Sequence, residues 1–464
     1  MDLMVFGTGV FFQNRYSQIN ENDTITAFID NDPSKQGGLF MGIPVMSVSD
    51  IPDNSEAMIL LMADAAPEMK LQLLESGVDE QRILFWGQYR KIKNLARREY
   101  IGRFDADESG KVLFVTGDLG YNGASLVGIY AVMALKTQGI QADLAVTYCD
   151  PQLLEELKAK DFHIIISPSL QYADADDLDW ISSYKAVIVS TAPMIRCASI
   201  ISKIKPVIWW LHEPAPYYKS MQIEFKEYIN PDAIKDILAC PVSTVARGFF
   251  ETLFPDRADA ILPCGIPDPS LDGDFSKTVD SKHEVVFAII GTPSEMKGHD
   301  IFIQAALIAA ERIDNIAFWI IGAHAAKSLD NRLHEMSKGC KQIVFMGEKT
   351  RAEIRELYER IDVVVSPSRM DTIPIVCIEA MAFGKPYIAS DKTGISQFTE
   401  NHKNGLICAS EDVSDLAQKM IWLAEHTHER REIGINARQT YVNFFTLNAF
   451  GRRLKETISK CINN

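Results

Sequence analysis

The sequence predicts an α/β protein built from three consecutive β/α units. Short apolar runs alternate with longer stretches of helical spacing along most of the chain, which is the pattern of parallel strands joined by helices. Several of these runs end in glycine-containing turns, as at Gly7, Gly117 and Gly291. A length of 464 residues suffices for two or three domains that each bury a core.

The apolar pattern also divides the chain. A polar, acidic stretch at 268–282 is the expected hinge between the second and third units. The apolar spacing also predicts helices over 232–238 and 247–253. We predict a Rossmann-like unit over 1–90, a basic linker helix and linker over 91–110, a second unit over 111–275, a third over 276–446, and a final helix over 447–464 that crosses back to the second unit.

Composition excludes several classes of protein. A net charge of −15 argues against a general nucleic-acid binder, which needs a dominant basic face. The eight cysteines contain no C-x-x-C pair, which favours reduced thiols in a cytosolic protein over a zinc site or a disulfide framework. We find no signal peptide and no run of the roughly 18 apolar residues that a membrane span needs. We therefore expect a cytoplasmic protein whose membrane contact, if any, is peripheral.

The segment 366–394 carries the strongest functional pattern. It places two carboxylates, Asp371 and Glu379, on either side of Pro374 and a short apolar run that leads into a helix. A loop that turns into a helix presents free N–H groups and the positive end of the helix dipole to a phosphate. A carboxylate just inside that helix can accept hydrogen bonds from a ribose diol. The segment therefore predicts a nucleotide-sugar site.

This segment resembles the donor-site signature of retaining glycosyltransferases of the GT-B fold, family GT4. Their pattern is E-x7-E followed by AMA-x-G-x-P and, further on, a glycine and an N-G pair. The matching residues here are Glu379, Ala380 to Ala382, Gly384, Pro386, Gly394 and Asn404-Gly405. Asp371 stands where the family has its first glutamate, so the charge is kept on a shorter arm. The resemblance implies a GT-B architecture, two Rossmann-like domains facing a cleft, with a third small Rossmann-like domain before them.

Other motifs follow in the order of that family from Lys111 onward. They are a glycine-rich loop that contains Gly123, the strand-end His212 in IWWLHEP, a P-x-G-I element at 263–266, and Lys297-Gly298. In the family an arginine and this lysine neutralise the donor diphosphate. Thr292 replaces the arginine here, so phosphate binding must depend on Lys297 and on helix N-termini.

The resemblance implies transfer of a sugar from a nucleotide-diphosphate-sugar to an acceptor hydroxyl with retention of configuration. It implies that Glu379 binds ribose, that Asp371 and the backbone of 373–375 contact the donor sugar or β-phosphate, and that His212 approaches the sugar from the opposite wall. The turn at Gly347 is expected near the base and ribose. We predict catalytic roles for His212, Asp371 and Lys297, and donor binding by Gly123, Thr292, Lys297, Gly347, Ile373, Pro374, Ile375 and Glu379.

We expect no cofactor and no metal, because no cluster of acids and histidines has the spacing of a metal site. The expected partners are the donor and a saccharide or lipid-linked acceptor, as in bacterial surface polysaccharide or glycolipid synthesis. Homo-oligomerisation stays open. The sequence identifies neither the sugar, the base, the acceptor nor the linkage.

The first unit has a weaker signal of its own. Gly7 and Gly9 follow the first apolar run, and Asp30 ends the second, where a dinucleotide-binding unit has its ribose-binding acid. The segments FIDNDPSK and GIPV resemble the Rossmann-like N-terminal domains of sugar-modifying proteins of bacterial polysaccharide pathways. A second nucleotide site and a tight turn with a capped loop both remain open.

Three further alternatives stay open. The replacements at Asp371 and Thr292 are compatible with a non-catalytic nucleotide-sugar-binding subunit. Residues 1–90 could instead serve an NAD-dependent sugar-nucleotide-modifying enzyme, which an absence of nicotinamide binding would exclude. The basic run 88–103 suits a helix on an anionic membrane surface, or a solvated connecting helix.

Overall fold

The computed structural model describes residues 1–63, 65–93, 98–104, 110–121, 123–269, 284–324 and 327–463, with the backbone alone at 124. The predicted α/β class is confirmed, since most strand pairings are parallel and helices connect them. The chain forms two compact units. One comprises residues 1–121, 143–207 and 215–237, and the other comprises 122–142, 208–214 and 238–464.

The N-terminal segment forms a six-stranded sheet within the first unit. Its elements are β1 (Asp2–Phe6), α1 (Val10–Gln13), β2 (Thr24–Ile29), β3 (Leu39–Phe40), β4 (Ile43–Met46), β5 (Met58–Leu61), α2 (Ala66–Glu75), β6 (Ile83–Phe85) and α3 (Trp86–Ile92). The strand order is β3-β4-β2-β1-β5-β6. After β1 the chain adds β2, β3 and β4 toward one edge of the sheet, and then adds β5 and β6 on the opposite side of β1. The carboxyl ends of β1 and β5 therefore form a topological switch point.

The middle of the chain supplies elements to both units. They are β7 (Glu99–Ile101), β8 (Val112–Val115), β9 (Asp118–Leu119), α4 (Gly123–Thr137), β10 (Ala142–Val146), β11 (Tyr148–Cys149), α5 (Pro151–Ala159), β12 (Ile164–Ile166), β13 (Ala186–Ser190), α6 (Ile195–Ile201), β14 (Val207–Leu211), α7 (Ala215–Glu224), β15 (Ile237–Pro241) and α8 (Thr244–Glu251). In the first unit the strands lie in the order β13-β8-β10-β12-β7, while β14 and β15 are neighbours in the second. Every residue of β13, β14 and β15 is buried, as in parallel strands that are covered on both faces.

The helix predicted over 232–238 is wrong. Pro231–Ile234 form a short 3₁₀ turn, and Ile237–Pro241 form the buried strand β15. A short apolar run has no spacing that separates a strand from a helix, so length and neighbours must decide. Here Asn230 caps the turn through its side chain, and the chain becomes extended after it.

The single helix predicted for the basic run 88–103 is also wrong. Helix α3 ends at Ile92, and Glu99–Ile101 form strand β7, which pairs antiparallel with β12. The tyrosine and isoleucine of that short segment are strand-forming residues, and they pair at a sheet edge. Residues 94–97, in the middle of the run, lie outside the described residues.

Three cations of this run have partners in the first unit. Lys91 forms an ion pair with Asp174, and Lys93 forms one with Asp23. The Arg98 guanidinium lies 5.2 Å from the centre of the Trp180 ring. These three cations are therefore paired or stacked on a ring, and the peripheral membrane contact stays a prediction.

The C-terminal residues form a six-stranded parallel sheet in the second unit. Its elements are β16 (Val285–Ile290), α9 (His299–Ala310), β17 (Ile316–Ile321), α10 (Lys327–Met336), β18 (Ile343–Gly347), α11 (Arg351–Arg360), β19 (Val363–Ser366), α12 (Ile375–Ala382), β20 (Tyr387–Ser390), β21 (Leu406–Cys408), α13 (Val413–Glu425), α14 (Thr427–Phe444) and α15 (Leu447–Asn463). The order β18-β17-β16-β19-β20-β21 puts a switch point between β16 and β19.

The last helix packs against α4 of the same unit. A Cβ atom on Gly451 would lie 2.3 Å from the Ala134 carbonyl oxygen, so only glycine permits this approach. The predicted linker at 105–110 and hinge at 268–282 fall mostly outside the described residues, and the predicted domain boundaries stay predictions. No helix in the described ranges combines the length and the apolar character that crossing a membrane requires.

Candidate functional site

Two loops meet at the switch point of the C-terminal sheet. Lys297 lies in the turn after β16, and Asp371 lies in the loop after β19. The Lys297 Nζ atom donates to Asp371 Oδ2 at 2.7 Å. The Asp371 charge raises the pKa of the Lys297 ammonium, so this lysine stays protonated at neutral pH. The sheet thus places a fixed cation where open α/β sheets bind ligands.

The position of Lys297 follows from the glycine after it. Gly298 has φ 71°, and a Cβ atom there would lie 2.3 Å from the Pro367 carbonyl oxygen. The backbone of the lysine turn therefore touches the backbone of the loop after β19, an approach that only glycine allows. The backbone N–H of Arg369 also donates to the Met296 carbonyl at 2.8 Å. The two loops are joined on both sides of the lysine.

Arg369 adds a charged clamp between the same loops. Its two terminal nitrogens donate to both carboxylate oxygens of Asp300, at 2.9 and 2.8 Å, in the first turn of α9. Asp300 and Glu411 raise the pKa of the Arg369 guanidinium, and Arg369 lowers the pKa of Asp300. A bidentate arginine–carboxylate pair fixes orientation as well as distance. Sequence reasoning missed this residue, although it lies within the signature segment.

The loop after β19 is fixed on its far side by the strand-end segments. The Thr372 hydroxyl donates to the His212 carbonyl, and the Ser243 hydroxyl donates to the Thr372 carbonyl. The Gly394 N–H donates to the Asp371 carbonyl at 2.9 Å. These bonds bring the predicted residues His212 and Asp371 to one site through a threonine that the sequence did not single out.

Helix α12 begins at this loop with an open N-terminus. Pro374 is its N-cap residue and, in this described stretch, makes no side-chain capping bond. The first-turn N–H groups of Ile375 and Val376 cannot reach intrahelical acceptors, which leaves them for a ligand. Together with the helix dipole they suit an anionic group. Ile373, the residue before Pro374, is buried.

Glu379 lies on the second turn of α12. Its Oε2 atom accepts a hydrogen bond from the Tyr358 hydroxyl at 3.3 Å, and the Tyr358 ring stacks on Phe383. Burial raises the pKa of the Glu379 carboxyl, while the Arg351 charge and the Tyr358 hydrogen bond lower it. A carboxylate with one long hydrogen bond keeps lone pairs for hydroxyl donors.

His212 ends strand β14 with its ring against Trp210, the two ring centres being 4.1 Å apart. Its Nε2 atom is buried and has no hydrogen-bond partner among the described residues. Burial lowers the pKa of the His212 imidazole to about 3, so the ring is neutral at physiological pH. The Glu213 carboxylate accepts from the His212 backbone N–H at 3.1 Å. The unpaired nitrogen can still exchange one hydrogen bond, but because it is buried a ligand reaches it only after a local rearrangement.

A cavity of about 320 Å³ opens at the carboxyl ends of β17 and β18. Its floor contains the strand-end glycines Gly322 and Gly347, and its walls contain residues that the sequence did not single out. His334 stacks on Phe345 with ring centres 4.0 Å apart, and His324 approaches Asp330 at 3.2 Å. The lining residues are Pro293, Ile320, Gly322, Ala323, His324, Asp330, His334, Phe345, Met346 and Gly347. A cavity of this size with a few polar groups suits part of a small ligand.

Two other predicted donor-site residues lie at the surface. Thr292 is exposed in the turn after β16, next to Pro293 of the cavity wall. Gly123 is the first residue of α4, and a Cβ atom there would meet nothing within 4 Å. Asn122, which precedes it in the predicted glycine-rich loop, lies outside the described residues. In the described part, three or more metal-binding side chains nowhere come together.

The N-terminal candidates lie at the switch point of their own sheet. Gly7 has φ 107°, and a Cβ atom there would lie 2.8 Å from the Met62 carbonyl oxygen. Asp30 is buried and accepts hydrogen bonds from the Thr8 hydroxyl and from Lys35 Nζ at 2.9 Å. Its carboxylate is therefore occupied by protein groups, as a loop-capping role requires. The geometry favours the turn-and-cap interpretation, and the second nucleotide site stays a prediction.

Comparison with known proteins gives two family matches. Residues 273–440 match the family described as glycosyl transferases group 1, and residues 1–84 match the family described as C2185-like, N-terminal. A D-inositol 3-phosphate glycosyltransferase of Corynebacterium aurimucosum is 26% identical over 52% of this chain and 60% of its own length. A poly(ribitol-phosphate) alpha-N-acetylglucosaminyltransferase of Staphylococcus aureus is 28% identical over 36% of this chain and 34% of its own length. Each match spans less than two thirds of the relative.

Solved structures show the same fold over a larger part of the chain. HepE of Anabaena in complex with UDP has a TM-score of 0.63 at 18% identity, covering 75% of this chain and all of its own. Sucrose-phosphate synthase of Thermosynechococcus elongatus has a TM-score of 0.59 at 15% identity, covering 76% of this chain and 99% of its own. This chain therefore has the GT-B fold over about three quarters of its length, and its residues 273–440 match the family described as glycosyl transferases group 1.

Proposed function

We propose that this protein is a retaining glycosyltransferase that moves a sugar from a nucleotide-diphosphate-sugar to an acceptor hydroxyl. One observation carries the proposal: Lys297 is bound to Asp371 in the loop after β19, and the open N-terminus of α12 and then Glu379 follow that loop. A cation and a helix N-terminus suit a diphosphate, and a carboxylate one turn further on suits a ribose diol. The GT-B relatives in solved structures include complexes with UDP and UDP-glucose.

The proposed chemistry depends on charge stabilisation. As the bond from the anomeric carbon to the diphosphate breaks, negative charge collects on the leaving phosphate, and Lys297 and the α12 N–H groups stabilise it. The acceptor oxygen bonds to the anomeric carbon on the same face, and its proton passes to the leaving phosphate oxygen. Asp371 and the backbone of 373–375 orient the donor sugar. His212 is neutral and acts as a hydrogen-bonding ligand of the sugar. The scheme assigns no role to a metal ion.

The proposed acceptor is a saccharide or lipid-linked intermediate of a bacterial surface polymer or glycolipid. Support comes from relatives that act on poly(ribitol-phosphate) and on a diphospho-undecaprenol-linked sugar by name. Both relatives match this chain over less than half of their own length, 34% and 43% respectively. The choice of acceptor is therefore the first part of the proposal that an acceptor screen must test.

A second candidate function is a non-catalytic nucleotide-sugar-binding subunit. The observation behind it is the replacement of the second phosphate cation by Thr292, which is exposed, and the shortened acid Asp371, which is bound to Lys297. Such a protein would bind the donor without transferring its sugar to an acceptor. Turnover therefore separates the two functions, whereas binding does not.

The test is calorimetric titration with UDP, GDP, ADP and dTDP and with their sugar conjugates, with and without EDTA. The Glu379→Gln variant removes the charge at the ribose position, and Glu356→Gln, an exposed acid on α11, is the matched control. We expect one nucleotide to bind, Glu379→Gln to lose it and Glu356→Gln to keep it. NMR of the product then shows whether the anomeric carbon keeps the configuration that it has in the donor. Binding that survives Glu379→Gln would overturn the site, and binding without turnover on any acceptor would favour the subunit.

A further inference from the structure

Loops at the carboxyl ends of two different sheets meet in the first unit. Arg15 follows α1, the helix after β1 of the N-terminal sheet, and Asp118 lies in β9, shortly after β8 of the β13-β8-β10-β12-β7 sheet. The Arg15 Nη2 atom lies 3.6 Å from Asp118 Oδ2. Open α/β sheets bind ligands outside the carboxyl ends of their strands. This ion pair therefore joins two such edges into one surface within a single compact unit.

Both members of this ion pair are held in place by their own neighbours. The Arg15 guanidinium lies 3.9 Å from the centre of the Phe11 ring, and its Nη1 atom donates to the Phe11 carbonyl at 3.4 Å. The Thr147 hydroxyl donates to the Asp118 carboxylate. Strand β9 pairs in parallel with β11, which makes Tyr148 the strand partner of Asp118. Groups that are already ordered lose little conformational entropy when a ligand binds.

Three exposed tyrosine rings border the ion pair. Tyr16 follows the arginine in the chain, Tyr121 lies three positions after the aspartate, and Tyr148 is the strand partner of the aspartate. They are 43%, 47% and 38% exposed respectively. The Tyr121 hydroxyl donates to Glu156 Oε1 at 2.6 Å, so the ring has a fixed place although it is exposed. Single exposed apolar side chains are ordinary, whereas a group of aromatic rings around charged groups is typical of a binding site.

We propose that this surface, formed by Arg15, Asp118 and the three tyrosines, binds a saccharide and holds the sugar part of the acceptor. The inference rests on the proposed function, because it names a place for the acceptor of that reaction. It also gives a role to residues 1–84, which match the C2185-like, N-terminal family and contribute Arg15 and Tyr16. None of the residues assigned to the donor belongs to this surface.

The chemistry of the surface suits a sugar. One face of a pyranose ring carries C–H groups that pack on an aromatic ring, and its rim carries hydroxyls that both donate and accept hydrogen bonds. The tyrosine rings offer apolar faces, while the Arg15 guanidinium donates and the Asp118 carboxylate accepts. The Asp118 side chain is 50% exposed and the Arg15 side chain 22% exposed, so a ligand from solvent reaches both.

The charges of the surface argue against other classes of ligand. Burial lowers the pKa of the Arg90 guanidinium, Asp118 raises it and Arg15 lowers it further, so Arg90 also lies within electrostatic reach of the ion pair. Two cations thus face two carboxylates, those of Asp118 and Glu156. A phosphate would meet both carboxylates, and an apolar peptide would bury the ion pair without satisfying it. A neutral ligand with many hydroxyls avoids both penalties.

The test is saccharide binding to the full chain, measured by saturation-transfer-difference NMR and titrated to give dissociation constants. The probes are the methyl glycosides of glucose, galactose, mannose, N-acetylglucosamine and N-acetylgalactosamine. Tyr148→Ala removes one ring, Arg15→Gln removes the cation of the N-terminal segment, and Tyr121→Phe keeps the ring but frees it from Glu156. Tyr100→Ala is the matched control, because Tyr100 is 51% exposed on β7, which β12 and β10 separate from β8. Circular dichroism checks that each variant is folded.

We expect at least one glycoside to bind wild type. Tyr148→Ala and Arg15→Gln should each raise its dissociation constant by about 2–10-fold, since each loses one exposed contact of that strength. Tyr121→Phe should raise it less, and Tyr100→Ala should leave it unchanged. A wild type that binds no glycoside, or a glycoside that binds all variants alike, would overturn the saccharide site.

Nucleoside-diphosphate binding separates this inference from the proposed function. We expect calorimetry to give the same diphosphate affinity for wild type and for each of these variants, because the donor residues are unchanged. If wild type binds no diphosphate, or Glu379→Gln binds it like wild type, the proposed function fails while the saccharide site stands on its own titrations.

Discussion

The sharpest prediction concerns Lys297, because the structure isolates its contribution. In Lys297→Met the ammonium that is 2.7 Å from Asp371 is replaced by an apolar group of similar length. A hydrogen bond to a charged group contributes about 1.5–3 kcal/mol, which corresponds to roughly 10–150-fold in the dissociation constant. We expect nucleoside-diphosphate binding to weaken by that factor, because Lys297 is the proposed phosphate cation and Thr292 supplies no charge.

The Asp371 carboxylate decides how large the loss is. Without Lys297 it lies unpaired beside an anionic ligand, so Lys297→Met loses an attraction and gains a repulsion. The double variant Lys297→Met/Asp371→Asn removes the repulsion and should recover part of the affinity. The Lys297 side chain is 42% exposed, so solvent screens the pair, and we expect a coupling of about 1 kcal/mol or less in the double-mutant cycle.

The assay is calorimetry at pH 7.5 with the nucleoside diphosphate and the parent nucleoside. The nucleoside lacks phosphate, so its affinity should not change in Lys297→Met. Lys403→Met is the control, because Lys403 forms an exposed pair with Glu400. A Lys297→Met variant that binds the diphosphate as tightly as wild type would refute the assignment of Lys297 to the phosphates.

Three further predictions follow from the geometry. Gly298→Ala should lower the free energy of unfolding by about 1–3 kcal/mol, because φ is 71° and the new Cβ would lie 2.3 Å from the Pro367 carbonyl oxygen. The control is Gly248→Ala on α8, where a Cβ meets nothing within 4 Å and no destabilisation is expected. Thermal unfolding of the two variants makes the comparison. The His212 imidazole, with its pKa lowered to about 3, should stay neutral in NMR titrations from pH 8 to pH 5, and a titration near 6.5 would contradict its burial. Tyr358→Phe removes the hydroxyl that donates to Glu379. In the same calorimetric assay we expect nucleotide binding to weaken by about 0.5–1.5 kcal/mol. An unchanged affinity would show that this hydrogen bond does not order the Glu379 carboxylate.

Elements with strong local signals were predictable from sequence. Strand β16 and helix α12 lie where apolar spacing and the turn residues around them put them. Strand β15 was not predictable, because Ile237–Pro241 is a short buried run whose spacing fits either state. Strand β7 was missed because its charged neighbours dominate the local pattern, while its pairing with β12 decides its conformation.

The site was predictable as a set of residues but not as a geometry. A motif can indicate that Lys297 and Asp371 serve one ligand, but these residues are 74 positions apart, and the sequence gives no sign that they bind each other. The bond from Thr372 to His212 spans 160 positions, and the bond from Arg351 to Tyr130 spans 221. Such contacts depend on how the sheet edge brings strand ends together, which no local pattern encodes.

The loop after β19 connects these separate contacts. Arg369 ties its first half to α9, and Thr372 ties its second half to the end of β14. Asp371 lies between the two anchors, so its side chain has little freedom to compensate for being one methylene shorter than the glutamate of the resembling family. The loop therefore presents Asp371 from a fixed position, and Lys297 holds that carboxylate. Under the proposed function the two departures from the family pattern are linked: with Thr292 in place of an arginine, the same lysine would both hold Asp371 and bind the diphosphate.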